Sequence, residues 1–84
     1  MNINMHIHPN PIQNSFTIEI VAAESSIGDI QISGLNGAVV FTKKYELDAG
    51  INAIKIQIPD LQPGAYSIQC KTNTESGSNS FVKL

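Results

Sequence analysis

Two histidines, one cysteine and a few scattered carboxylates are the residues of this 84-residue chain whose types could do chemistry. His6 and His8 stand two apart, so on an extended strand their rings leave one face and could ligate a metal together. No Cys, Asp or third His stands beside them in sequence, and the expectation is a pair of exposed histidines on an edge strand with no metal bound. Asp29, Asp48 and Asp60 each precede or close a turn, where a carboxylate accepts hydrogen bonds from nearby backbone N–H groups. Their spacing fits no calcium loop. Cys70 has no partner for an internal disulfide, and on a strand's apolar face it reads as a small buried hydrophobe. No serine sits in a Gly-x-Ser-x-Gly elbow, and Glu19, Glu24, Glu46 and Glu75 fall on expected outer faces or loops. Gly34-Leu35-Asn36-Gly37 lacks the helix that would aim N–H groups at a phosphate. The expectation is therefore no catalytic residue, no cofactor and no enzyme. Lys83 is the one terminal charge that stands out. It reads as an edge-strand lysine that discourages edge-to-edge pairing.

Composition removes further classes. The net charge is −2, and Lys43-Lys44 is the only adjacent basic pair, so no basic stripe with interleaved aromatics is available to nucleic acid. No window of about 18 apolar residues exists, which excludes a membrane-spanning helix. Residues 1–11 lack a charged segment followed by an apolar run, so no signal peptide is expected here. If the domain is exported, the address that starts export belongs to a longer precursor.

The elements that must position these residues are strands. Apolar and polar residues alternate over residues 1–8, 15–23, 29–35, 51–58 and 65–72, the period of a strand with one buried face, while a hairpin returns the chain over 38–47 and 79–84 closes it as a last strand. Pro9-Asn10-Pro11 ends the first strand as a rigid extended turn. Asn36-Gly37 is a hairpin signal, expected as a type I′ turn with φ > 0 at both positions. The tightest feature is 59–66, where Pro59 and Pro63 each fix φ and remove a donor, and Gly64 tolerates φ > 0. A strand leaves that bend at once, and Tyr66 stands where a tyrosine corner would bury its ring and return its hydroxyl to the upstream backbone. Seven strands with turn signals between them, and no stretch of 3.6 period, predict an all-β, seven-stranded antiparallel immunoglobulin-like β-sandwich.

The order of these signals is more specific than any one of them. Pro9-Asn10-Pro11 is followed by the alternation of Phe16 to Ile20, then by Ile30-Gln31-Ile32 and Leu35-Asn36-Gly37-Ala38-Val39-Val40. Ala49-Gly50-Ile51-Asn52, the Leu61-Gln62-Pro63-Gly64-Ala65-Tyr66 corner and Phe81-Val82-Lys83-Leu84 come after. In this order the chain resembles the C-terminal sorting domain of proteins exported by the type IX (Por) secretion system of Bacteroidetes, from about Ile7 to Leu84. Cys70 stands where that family usually has an aliphatic residue, and Ala38 where a lysine or arginine usually follows the hairpin glycine.

The resemblance implies a transport address. Residues 1–84 would be one C-terminal domain of a larger secreted precursor, with a cargo domain on its N-terminal side. The implied partners are the outer-membrane type IX machinery and a sortase-like cysteine peptidase that removes the domain. The implied route is the periplasm in transit, then the cell surface or the medium. Pro9, Asn10, Pro11, Gly37, Gly64, Tyr66 and Lys83 are the recognition or shape positions it carries over. Two other classes compete with it. One is an immunoglobulin-like module that binds carbohydrate or protein beside a secreted enzyme, for which only Phe16, Phe41, Phe81, Tyr45 and Tyr66 offer aromatic surfaces. The other is an inert spacer or adhesin repeat.

Overall fold

The computed structural model describes residues 3–9, 11–58 and 60–84. Asn10 of the first turn motif, Pro59 of the corner and the first two residues of the expected first strand lie outside them. Seven strands form, β1 (Asn4–His8), β2 (Ser15–Ala22), β3 (Ser26–Gly34), β4 (Val39–Leu47), β5 (Gly50–Gln57), β6 (Gly64–Lys71) and β7 (Ser76–Lys83). Alternation is what makes them: in β2 Phe16, Ile18, Ile20 and Ala22 are buried, while Thr17, Glu19 and Val21 face outward. All pairings between strands are antiparallel, in a three-stranded sheet β1-β2-β5 and a four-stranded sheet β4-β3-β6-β7. The predicted sandwich is the observed one. Its core is aliphatic around two phenylalanines, with Phe16, Ile18, Ile20 and Ile56 from one sheet against Ile30, Ile32, Ile68, Cys70 and Phe81 from the other. β4 lies at the edge of the sheet that holds β3, whereas the constant-type immunoglobulin arrangement puts its fourth strand on the opposite sheet.

Two strands begin earlier than alternation predicts, and in both a glycine hides the pattern. β3 starts at Ser26 because Ser26, Ile27 and Gly28 pair with Leu47, Glu46 and Tyr45. Gly28 points inward, and a Cβ there would lie 2.7 Å from Leu47 Cδ1 and 3.2 Å from Cys70 Sγ. β7 starts at Ser76, where the inward position Gly77 lies so close to the first strand's approach that a Cβ would stand 2.5 Å from the Ile3 carbonyl oxygen. At both sites the neighbour fills the space a side chain would need, so the apolar residue that signals a strand is missing.

The β3–β4 hairpin forms where Asn36-Gly37 predicts, with a different turn. The Gly37 N–H donates to the Gly34 carbonyl at 3.0 Å, Gly37 has φ +82°, and no described non-glycine residue has positive φ. This is a three-residue loop in which a type I turn is followed by a left-handed glycine, not a type I′ turn. Asn36 contributes through its side chain, whose Oδ1 accepts the Ala38 N–H at 3.0 Å. The ladder then shifts register, since Ile32 pairs with Phe41 but Ser33 with Val39, which leaves Val40 as a bulge.

The two long sides of the sandwich are finished differently. Along the β1/β7 side the sheets are stitched together: Ile3 N–H donates to Ser76 O at 2.8 Å, Asn79 Nδ2 to Met5 O at 3.1 Å, and Ile12 N–H to Val82 O at 2.7 Å. Along the other side β4 and β5 are both edge strands. The short 48–50 turn that joins them is organised by Asn52. Its Oδ1 accepts the Asp48 N–H at 2.9 Å, and its Nδ2 donates to Asp48 O, Gly50 O and Ile20 O.

Candidate functional site

The corner is built from a glycine that permits it and a tyrosine that closes it. Gly64 has φ +152°, and two residues on the Tyr66 hydroxyl donates to the Gln62 carbonyl at 2.5 Å. The ring is half-buried and stacks on Phe81, with centroids 5.6 Å apart and planes at 20°. Phe81 in turn meets Phe16 at 5.2 Å. Tyr66 and Phe81 are direct cross-strand partners, so the hydroxyl holds the loop while the ring holds the terminal strand.

The terminal strand is gripped from its other side by the segment that follows the first proline turn. After Pro11 the chain leaves the β1 sheet and Ile12, fully buried, makes a parallel bridge to Lys83. Ile12 N–H donates to Val82 O, and Leu84 N–H donates back to Ile12 O, each at 2.7 Å. The end of β7 is therefore an interior strand, with Gly64 on one flank and Ile12 on the other. Pro11, Gly37, Gly64, Tyr66 and Lys83 thus all belong to one pole of the sandwich, which also carries a shallow cleft of about 420 Å³ lined by Leu35, Val40, Pro63, Ala65 and Tyr66. Ile3, through which the chain enters β1, lies beside Ser76 at the opposite pole, about 25 Å away along the eight residues of β7.

The profile of the secretion system C-terminal sorting domain matches residues 6–83. The chain belongs to the type IX secretion C-terminal sorting domain family. That membership makes it a sorting signal, directs the attached protein to the cell surface or the medium, and implies contact with the type IX machinery. No curated protein matches the chain.

Within the sorting domain, Lys83 differs from its expectation as an exposed edge lysine. It points inward beside Phe81, is only 7% exposed, and its Nζ donates to the Leu84 main-chain oxygen at 3.1 Å. A buried ammonium needs such a partner, and its stem packs as an apolar chain. The large apolar residues exposed at this end of the chain are Val82 and Leu84.

Glu75 is the second correction. Expected on an outer face or loop, it is 5% exposed, and its Oε2 accepts the Ala23 N–H at 3.1 Å. The local signal is Thr72-x-x-Glu75: Thr72 Oγ1 accepts the Glu75 N–H at 3.0 Å, and Thr72 N–H donates to Glu75 O at 2.9 Å, which turns the carboxylate back toward the β2–β3 loop. Asp29 is also not a turn residue. It lies within β3 and accepts from Thr42 Oγ1 across the ladder at 3.4 Å. At the 48–50 turn the side-chain work is done by Asn52 rather than Asp48.

His6 and His8 are exposed on β1, with His8 Nε2 3.9 Å from Glu19 Oε2. No group of three potential metal ligands occurs among the described residues. Cys70 is fully buried, and burial, followed by the charges of Asp29 and Glu75, pushes its thiol pKa up. Of the five aromatic residues, Phe16 and Phe81 are buried and Phe41, Tyr45 and Tyr66 are half-buried.

Proposed function

We propose that the folded domain is itself the address, and that the type IX machinery reads the pole formed by the corner and the terminal strand. The observation that carries this reading is the Ile12–Val82–Leu84 clamp beside the Tyr66 corner: three sequence-distant motifs meet around one strand end. The shape residues act indirectly. Gly64 and Tyr66 bend and lock the loop, Ile12, which follows Pro11, grips β7 from the far side, and buried Lys83 caps the core beneath. Val82 and Leu84 are left as the exposed contacts. Cargo precedes the domain, so it hangs from the opposite pole and leaves the reading surface clear. The precursor crosses the periplasm, passes the outer membrane, and is cut free by a sortase-like peptidase. The domain performs no catalysis.

A reporter behind a secretory signal peptide and ahead of residues 1–84, expressed in a Bacteroidetes host, tests this reading. It is expected at the cell surface or in the medium in the parent strain and trapped in the periplasm when the type IX outer-membrane channel is deleted. Equal export in both strains overturns the proposal. Deleting residues 81–84 is a poor substitute, because it removes buried Phe81 and unfolds the signal along with any contact surface.

A further inference from the structure

The sandwich is stitched along β1/β7 and open along β4/β5, and the open side has a chemistry of its own. β4 and β5 each end their sheet, so each presents a row of backbone donors and acceptors with no neighbouring strand. Between them lies a cleft of about 260 Å³ lined by Phe41, Lys43, Tyr45, Lys55, Ile56 and Gln57. Phe41 and Tyr45 are only half-buried, and Lys43 Nζ lies 5.3 Å above the Tyr45 ring. Three of the chain's lysines mark this side. Lys43 points into the cleft, Lys44 lies beside Asp29 on the outer face of one sheet, and Lys55 lies on the outer face of the other. Glu46 is the single acid on the two strands.

We infer that this open side takes up an extended acidic segment of another protein, which adds as a strand to the edge of β4. What satisfies a strand edge is another strand, and alternate side chains of an added strand point one way. Of the side chains on its inner face, apolar ones would lie against Phe41 and Tyr45, and a carboxylate between them would meet Lys43, with Lys55 across the cleft. The same lysines disfavour a second copy of this chain, since β4 against β4 would bring Lys43 and Lys44 near their own equivalents. They also explain how the edge stays free, because inward lysine and the bulge at Val40 deter unselective pairing while leaving an acidic strand favoured.

The test is titration of the 84-residue chain with labelled eight-residue peptides, followed by anisotropy and by amide NMR. A peptide whose alternate positions run Val, Glu, Val, with threonine between them, is expected to bind with shifts confined to β4 and β5. The same peptide with lysine in place of glutamate, and one with proline in place of the threonines, are expected not to bind. Lys43→Glu with Lys55→Glu should weaken the acidic peptide by about tenfold or more. Lys55→Glu alone, on an exposed position, should weaken it in the same direction should the double variant fail to fold. Equal binding of the basic or proline-bearing peptide, shifts on β7, dimerisation of the chain alone, or no binding at millimolar peptide each overturns the inference. These outcomes are independent of the export assay, so the two readings fail separately.

Discussion

Removing the Tyr66 hydroxyl isolates the bond that closes the corner. In Tyr66→Phe the ring keeps its stack on Phe81 at 5.6 Å, and only the bond to the Gln62 carbonyl is lost. Gln62 is exposed, so water replaces the hydroxyl and the full penalty of a buried orphan acceptor does not apply. The expected cost is about 1 kcal/mol, which in a domain of this size lowers Tm by about 4–8 °C. Tyr66→Ala removes the ring as well. A fully buried aromatic truncated to alanine costs about 3–5 kcal/mol, and half-burial brings this to about 2–3. Against a total of about 4–13 kcal/mol for a domain of this length, that is a large share. Thermal and urea unfolding of the three proteins give both differences, with unchanged urea m-values confirming that the unfolded state is not altered. An unchanged Tm for Tyr66→Phe would show that the hydroxyl does not hold the corner. A Tyr66→Phe loss equal to that of Tyr66→Ala would show that the ring stack contributes nothing to the terminal strand.

Glu75→Ala should leave the Ala23 N–H without its acceptor and cost about 1–3 kcal/mol, with faster hydrogen exchange at Ala23 as the local readout. Gly77→Ala should cost about 1–3 kcal/mol, because the added Cβ meets the backbone of Ile3. Gly28→Ala should cost less, since the nearest atom is the movable end of Leu47. Cys70 has a raised pKa in the folded state, so the folded thiol keeps its proton where the unfolded one has lost it. The thiol's contribution to stability is expected to be constant below its ordinary value of 9.0 and to fall as pH rises above it. Urea unfolding from pH 7 to pH 10 reads this, and Cys70→Ala should flatten that part of the profile.

Much of the fold was legible because alternation survives in β2, β5 and β6, where Phe16-Ile18-Ile20, Ile54-Ile56 and Tyr66-Ile68-Cys70 spell out the inner face. It failed where backbone or a neighbour occupies the inner position. Gly28 and Gly77 carry no side chain because Leu47 and Ile3 stand there, so the first residues of β3 and β7 look like loop. The hairpin was found from Asn36-Gly37, yet its turn type depends on a third residue and a bulge at Val40 that the dipeptide does not encode. At the corner, Gly64 and Tyr66 announced their roles through local chemistry. The grip of Ile12 on Val82 and Leu84 did not, because it joins segments about 70 residues apart and Ile12 follows the proline turn without any pattern of its own. Lys83 misled for a different reason: a lysine near the end of the chain looks like surface, although its place two residues after Phe81 puts it on the inner face. Glu75 was hidden among Asn, Ser, Thr and Gly, although Thr72-x-x-Glu75 contained the turn that folds it back.

The most direct test of the central reading is export of the reporter fusion carrying Leu84→Asp, set beside the same fusion carrying Ile51→Asp. Leu84 is 59% exposed at the corner pole, and Ile51 is 75% exposed near the opposite one, so neither change removes a core contact. With both variants folded, as judged by unchanged melting of the isolated domain, Leu84→Asp should retain the reporter in the periplasm while Ile51→Asp exports it normally. Normal export of Leu84→Asp, or retention of Ile51→Asp to the same degree, would contradict a signal read at the terminal strand.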